Sequence, residues 1–171
     1  DFSSGTTSVL GIGFPQVRSC LAAVSPSSYG YFGSGIPGPV ATVDRLDFSN
    51  ETFSSPGDDL SQGRNAIAAV SSSSYGYFAG GQSPAETPTK VDTVDRIDFS
   101  NETTSVPGNE LTQARSWSAA VSNSSYGYFG AGSAVLPVTT VDRIDFSNET
   151  TSAPGNNLSQ ARNVLAALSG G

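Results

Sequence analysis

One ten-residue phrase recurs along the chain almost unchanged, and this repetition constrains the fold more than any other feature. The phrase VDRIDFSNET occurs at 94–103 and at 141–150, and VDRLDFSNET at 43–52 differs from it by one leucine. Spacings of 46, 51 and 47 residues separate four aligned copies of Asp-Phe-Ser, which begin at Asp1, Asp47, Asp98 and Asp145. A period of this size is typical of propeller and solenoid units. We therefore expect the 171 residues to form a single repeat region, 1–171.

The composition favours an all-β fold. Hydrophobic residues make up only 36% of the chain, whereas there are 19 glycines and 10 prolines, which suits short strands joined by many turns. The formal charge of −7 argues against a nucleic-acid partner, because such a surface needs a basic patch. A transmembrane helix needs about 18 consecutive apolar residues, and the sequence has no such run, so we expect no membrane insertion.

Each repeat reads as four short strands, here named a to d in chain order. In the third repeat, AAVS at 119–122 suits a buried inner strand a, and the Ser-rich turn after it leads to YGYF at 126–129 as strand b. The glycine inside YGYF indicates a close approach of another part of the chain. VDRIDF at 141–146 predicts strand c, with side chains alternating between two faces, and SNET predicts a tight turn into strand d.

Three full units can be drawn, at roughly 18–60, 64–111 and 115–158. Residues 1–10 are expected to add the end of a strand c and a strand d, and 162–171 an inner strand a. These leftover strands are not neighbours within a unit, so they cannot complete one unit together. One sheet of four strands also has two faces to cover and cannot stand alone. We therefore expect a segment of a longer repeat array, or a partial propeller that closes only with other copies.

The repeat resembles a known family. The runs R-x-x-x-A-A-V-S, Y-G-Y-F-x-x-G and V-D-R-I-D-F-S-N-E-T are similar to a kelch blade of the galactose-oxidase central-domain type, and Gly80-Gly81 matches the family's diglycine. The kelch tryptophan after strand c is replaced by Phe53 or Ser105. The wording is closer still to the YGYFGGG…VDRIDYSNDT repeats of marine phages and environmental sequences. The resemblance implies all-β, kelch-like β-propeller blades of four antiparallel strands, about 47 residues each, and no particular activity.

Seven of the eight basic residues fall into two repeated registers. One precedes strand a (Arg18, Arg64, Arg115, Arg162) and the other lies in strand c (Arg45, Arg96, Arg143). Such regularity predicts structural ion pairs, within or between units, rather than scattered surface charge. The candidate partners are Asp44, Asp95 and Asp142, or alternatively Asp47, Asp98 and Asp145. If the pairing of Arg96 is buried, its replacement by alanine should cost on the order of 2–4 kcal/mol.

The sequence offers little to catalysis. It has no histidine, so neither a Ser-His-Asp triad nor an imidazole-ligated metal can be built from this chain. The acidic pair Asp58-Asp59 occurs in one repeat only, in a Pro-Gly turn, and the oxygens that follow each Pro-Gly match no calcium loop. Cys20 is the only cysteine and is expected to be a small buried residue, a reactive thiol or an intermolecular disulfide bridge being the alternative. We predict no catalytic residue, no cofactor and no metal.

Five Asn-x-Ser/Thr sequons are candidate N-glycosylation sites. In the architecture that the resemblance implies, the a–b and c–d turns form one rim and the b–c and d–a loops form the other. Four sequons then share the first rim and one lies on the opposite rim: Asn50, Asn101, Asn148 and Asn123, and Asn157. The alternative is that asparagine simply suits these turns.

The b–c loops share no wording and are named the variable loops below. They comprise 36–42, 82–93 and 133–140. Loops that vary on a repeated scaffold are where a binding surface usually lies, and a protein or glycan ligand is expected there. These loops contain no aromatic residue, which counts against sugar stacking.

We expect a non-enzymatic structural or adhesive module of an extracellular or virion-surface assembly, such as a phage fibre or a secreted fibre. Its expected partners are further repeats of the same or neighbouring chains. The alternative is a carbohydrate- or protein-binding kelch propeller acting as a discrete interaction domain.

Overall fold

The computed structural model describes residues 4–7, 13–38, 40–84 and 89–168, and all the regular structure in them is β. The first sheet contains β1 (Ala22–Val24), β2 (Tyr29–Gly33), β3 (Val43–Asp47) and β4 (Thr52–Ser54). The second contains β5 (Ala68–Ser71), β6 (Tyr75–Ala79), β7 (Val94–Asp98) and β8 (Thr104–Ser105). The third contains β9 (Ala119–Ser122), β10 (Tyr126–Gly130), β11 (Val141–Asp145) and β12 (Thr151–Ser152).

Each sheet is an antiparallel meander whose strands lie in chain order. The predicted all-β class and the four antiparallel strands per unit are therefore confirmed, and each sheet falls within one of the three predicted units. The described residues of the two terminal stretches, 4–7 and 162–168, form no strand. Arg162 makes one isolated bridge to Val138. The remaining positions of the predicted terminal strands, 1–3, 8–10 and 169–171, lie outside the described residues.

The c–d turn explains the repeated phrase, because its polar side chains satisfy their own backbone. In the second unit, the Asp98 carboxylate accepts hydrogen bonds from the backbone N–H (2.8 Å) and the hydroxyl (2.6 Å) of Ser100. The Asn101 side-chain oxygen accepts from the N–H (3.0 Å) and the hydroxyl (2.7 Å) of Thr103. Glu102, between them, has φ +61°. The same bonds recur in the other two units, so the phrase encodes a self-contained turn.

The sheets stack face to face, and their inner strands are neighbours. Strand β5 contacts both β1 and β9. One apolar core lies between the first two sheets, formed by Val24, Tyr31, Val43, Leu60, Ile67, Phe78 and Ile97. A second core repeats it between the second and third sheets, with Ala68, Val70, Tyr77, Ala79, Val94, Leu111, Phe129 and Ile144. Each narrow sheet thus covers the face of its neighbour, as expected for a sheet that cannot stand alone.

A line of backbone hydrogen bonds joins the starts of successive inner strands. The N–H of Ala66 donates to the carbonyl of Cys20 (2.9 Å), that of Trp117 to Ala66 (2.9 Å), and that of Val164 to Trp117 (3.1 Å). All four residues have φ between +54° and +60°. Cys20, predicted to be buried, is half-buried in this line. The arrangement ties each unit to the next through the main chain.

The glycine inside YGYF is required by the stacking. A Cβ on Gly76 would lie 2.5 Å from Cγ2 of Val24, and a Cβ on Gly127 would lie 2.5 Å from Cγ2 of Val70. Both valines belong to the inner strand of the preceding sheet. The close approach predicted from this glycine is therefore found, and it is an approach between sheets.

Replacing Gly127 by alanine should push the third sheet away from the second. We expect Gly127→Ala to lower the free energy of unfolding by about 1–3 kcal/mol, the usual cost of overpacking a core, measured by urea denaturation. Gly30→Ala is the matched control, because the first sheet has no described sheet before it and its nearest neighbours are the ring ends of Phe48 and Phe32, at 3.2–3.3 Å. Equal losses in the two variants would contradict this origin of the glycine.

Candidate functional site

The arginines before the inner strands form buried ion pairs inside their own units. Arg115 Nη1 lies 2.6 Å from Asp142 Oδ2, and the side chains of both residues are fully buried. The other two pairs in this register are equally enclosed and join Arg18 to Asp44 and Arg64 to Asp95. These are the aspartates of the first of the two sets that the sequence left open.

Each of these guanidinium groups also ties the backbone of its sheet together. Arg64 Nη1 donates to the carbonyl of Gly80 (2.9 Å) and to that of Thr93 (2.8 Å), at the end of β6 and just before β7. Burial lowers the pKa of Arg64 from its ordinary value, and the Asp95 carboxylate opposes that shift. The pair therefore joins strands of one sheet in its buried interior, through charge-assisted hydrogen bonds.

The arginines of strand c pair with glutamates of the next unit. Arg45 Nη1 lies 2.7 Å from Glu102 Oε1, and the hydroxyl of Tyr31 donates to the same oxygen at 2.8 Å. Above this contact the ring of Phe99 stacks on Tyr31, with centroids 5.4 Å apart and planes 15° apart. We name this set of contacts the clasp: arginine and tyrosine of one sheet, glutamate and phenylalanine of the next c–d turn.

The clasp is built a second time between the second and third sheets. Arg96 Nη1 lies 3.0 Å from both carboxylate oxygens of Glu149, and the Tyr77 hydroxyl donates to Glu149 Oε1 at 3.0 Å. Phe146 stacks on Tyr77 at 5.5 Å. Burial, and then the hydrogen bond to Glu149, raises the pKa of Tyr77, so the phenol stays protonated and keeps donating. Burial lowers the pKa of Arg96, but its contacts with Glu149 outweigh that effect and the net shift is upward.

The second set of predicted aspartates does not pair with the strand-c arginines. Asp47, Asp98 and Asp145 instead accept hydrogen bonds inside their own turns. The serine hydroxyl and N–H that bond Asp98 hold the pKa of that carboxyl below its usual value. Sequence reasoning missed the glutamates because their partners lie 57 and 53 residues away along the chain. The signal was present in the phrase, where glutamate recurs in every turn although no local contact needs it.

Two of the predicted arginines have no ion pair within the described part of the chain. Arg143 places its guanidinium 4.6 Å from the ring centroid of Tyr126, in the same way that Arg45 and Arg96 lie over Tyr29 and Tyr75. Arg162 is exposed, and its guanidinium donates one long hydrogen bond, 3.5 Å, to the side-chain oxygen of Gln160.

All five sequon asparagines are exposed, and each is engaged with backbone. Asn50, Asn101 and Asn148 accept from the threonine of their own sequon. Asn123 accepts from the N–H groups of Ser125 and Tyr126 at 2.9 and 2.8 Å, and Asn157 from that of Val141 at 3.2 Å. The turn role suggested for these asparagines is thus present in the first four, whereas Asn157 bonds to the start of β11; glycosylation stays a prediction.

The second and third variable loops meet at the end of the sheets opposite the c–d turns. Lys90, the basic residue outside both registers, donates to the hydroxyl of Ser133 at 2.9 Å and to the carbonyl of Ala134, so it joins the second loop to the third. Beside this contact the third loop presents Val135 and Leu136, which are 95% and 73% exposed. Residues 39 and 85–88 of these loops lie outside the described residues.

Reactive groups are sparse in the described residues. No three Cys, Asp or Glu side chains there lie close enough together to hold a metal ion.

A groove of about 400 Å³ lies between the second and third sheets at the sequon rim and is lined by serines 72–74, 124, 125 and 147 with Tyr75, Tyr126, Asp145 and Phe146. The acidic pair Asp58-Asp59 contacts strand d of the second unit. The Asp58 carboxylate accepts from the N–H of Thr104 (3.4 Å), and the backbone carbonyl of Asp59 accepts from the Thr104 hydroxyl (2.5 Å).

No described segment forms a helix that is long and apolar enough to cross a membrane. Among known proteins, no family model matches the chain and no curated protein is significantly similar to it.

The two arginine registers should differ sharply in what their loss costs. Arg64→Ala leaves the Asp95 carboxylate buried without a counter-ion, so we expect the free energy of unfolding to fall by about 3–5 kcal/mol. The larger loss predicted for Arg96→Ala required a buried ion pair, and this condition is not met because the Arg96 side chain is 25% exposed. Arg96→Ala should therefore cost only about 1–2 kcal/mol, from a partly exposed ion pair and the contact with Tyr75. Urea denaturation measures both, and a larger loss in Arg96→Ala than in Arg64→Ala would contradict the assignment.

Proposed function

We propose that this chain is a non-enzymatic scaffold of kelch-like β-propeller type, with a structural or adhesive role at an extracellular or virion surface. Its variable loops form the binding rim. Two features of the molecule support this proposal. The framework repeats its ion pairs from unit to unit, whereas the variable loops differ between units.

The propeller architecture is supported by the way successive units meet. Each unit is a four-stranded meander, the inner strands β1, β5 and β9 are neighbours in that order, and one backbone bond per unit joins their starts. In a propeller the blades stack face to face with strand a nearest the axis. The same operation that takes the first sheet to the second, continued further, would generate more blades.

The observation that carries the binding role is the exposure of apolar side chains on the variable loops. Most apolar residues that recur in the strands are buried in the two cores, whereas Val135 and Leu136 are exposed on a loop anchored by Lys90. An apolar tip on an anchored loop loses little conformational freedom on binding. We propose a protein surface as the ligand, because these side chains offer apolar contact and no stacking ring.

The alternative function, carbohydrate binding, is favoured by the groove at the sequon rim. Six serines and the edges of Tyr75 and Tyr126 line it, and hydroxyl groups suit the polar groups of a sugar. Against this, the faces of both tyrosines carry the guanidinium groups of Arg96 and Arg143, 4.6 Å from each ring centroid. A sugar ring would have to compete with those arginines.

Binding selections on the whole protein distinguish the two functions. A displayed library of random peptides serves as the probe for the variable loops, and an array of glycans as the probe for the groove. We expect selected peptides to bind the wild type and to lose roughly tenfold or more in affinity to a Val135→Ser/Leu136→Ser variant, since two apolar contacts are removed. Ser73→Ala/Ser124→Ala, in the groove, is the matched control and should bind these peptides normally.

The remaining outcomes contradict the proposal. Glycan binding that is lost in Ser73→Ala/Ser124→Ala and kept in Val135→Ser/Leu136→Ser would establish the alternative. Peptides that bind both variants equally, or an absence of binders in both selections, would remove the variable loops as a binding rim.

A further inference from the structure

The outer face of the third sheet lacks the cover that the same face has on the other two. Tyr31 and Tyr77 are completely buried by the sheet that follows them, whereas Tyr128, in the same register, is only half-buried. Val141 and Leu158 are likewise half-buried, although their counterparts in the first two units are buried: Val43, Val94, Leu60 and Leu111. This face is therefore an apolar core with one side missing.

The polar half of a clasp stands beside that face. Tyr128 and Arg143 occupy the positions that bind glutamate in the first two sheets, and no carboxylate within the described chain reaches either of them. The Arg143 guanidinium is already held over the ring of Tyr126, as the Arg96 guanidinium is held over Tyr75 in a complete clasp. The site is thus preorganised for a carboxylate.

The complementary half stands at the other end of the molecule. Glu51 occupies the place of Glu102 and Glu149 in the first c–d turn, with φ +59° against +61° and +59° for the other two. Its side chain is exposed and makes no ion pair with described residues. Phe48, in the place of the stacked Phe99, is 46% exposed.

We propose that a second copy of this chain binds head to tail through these two halves. The first sheet of one copy covers the third sheet of another, so that Glu51 reaches Arg143 and the Tyr128 hydroxyl, and Phe48 stacks on Tyr128. The occupant is another copy because the two ends match in charge, register and aromatic contact, and because the molecule already forms this contact twice within itself.

Docking requires one segment to give way. Residues Leu165–Ala167 lie against the third sheet, where the inner strand of a following unit belongs, and an arriving copy brings its own β1 to that place. The exchange is nearly balanced, because the two segments read LAAL at 165–168 and LAAV at 21–24. Phe14 of the arriving copy and Leu158 compete for one place in the same way, since each stands four residues before an in-register arginine.

The interface is heterologous, since different surfaces of the two copies meet. Such an interface produces a ring if the rotation per copy closes and an open fibre if it does not. The inference concerns the two end faces and does not rest on the variable loops, so it can fail while the proposed binding rim stands.

Charge reversal at the two halves tests the proposal on the full chain. Sedimentation velocity from about 10 µM to about 1 mM, the range of weak association, should show the wild type growing into oligomers as concentration rises. Glu51→Arg alone and Arg143→Glu alone should stay monomeric, because each places like charges opposite one another. A mixture of the two variants should associate again, because each of its alternating contacts restores one opposite-charge pair.

The mixture also separates lost binding from lost folding, since unfolded variants cannot rescue each other. Glu102→Arg is the matched control: it breaks a clasp inside the molecule, so it should lower the melting temperature yet leave both end faces able to associate. A wild type that remains monomeric throughout the range would overturn the second copy as occupant and leave the face to another segment. Association of either single variant at wild-type strength would overturn the clasp as the contact.

Discussion

The structure depends on the need of each narrow sheet to cover two faces. Strands of two to five residues bury too little apolar surface for one sheet to be stable alone, so each sheet serves as the cover of the next. The clasp fixes how this cover is placed. Glu102 and Glu149 set the position of a turn against the preceding sheet, Phe99 and Phe146 stack on its tyrosines, and glycine in strand b allows the approach. The repeated phrase is therefore both a turn and the connection between sheets.

The two arginine registers stabilise different parts of the structure: one the individual sheet, the other the contact between neighbouring sheets. Arg64 and its equivalents hold strands of one sheet together from inside, where a lost partner leaves a buried charge. Arg45 and Arg96 act across the boundary between sheets, about a quarter exposed and each supported by a tyrosine ring. The ion pairs within a sheet are therefore buried and those between sheets are partly exposed, which suits contacts that can also be made between separate molecules.

Much of the fold could be predicted because the repeat fixes what each segment must do. AAVS, YGYF and VDRID lie in the strands assigned to them, and one of the two aspartate sets that the sequence left open, Asp44, Asp95 and Asp142, pairs with Arg18, Arg64 and Arg115. The partner of Arg96 could not be predicted, because Asp98 stands two residues away on the same face and Glu149 is 53 residues distant. Only the register between sheets decides between them. The variable loops were identified by their difference from one another, and the contact of Lys90 with Ser133 had no counterpart in the repeats to reveal it.

The central claim is that the clasp makes neighbouring sheets unfold as one. Trp117, the only tryptophan, begins the third unit and bonds to Ala66 of the second, so its fluorescence reports on the third unit while circular dichroism reports on all strands. Urea unfolding followed by both signals should give coincident transitions in the wild type. In Phe146→Ala/Glu149→Ala the fluorescence transition should move to lower urea than the circular dichroism transition. Transitions that already differ in the wild type, or that stay coincident in the variant, would contradict the account.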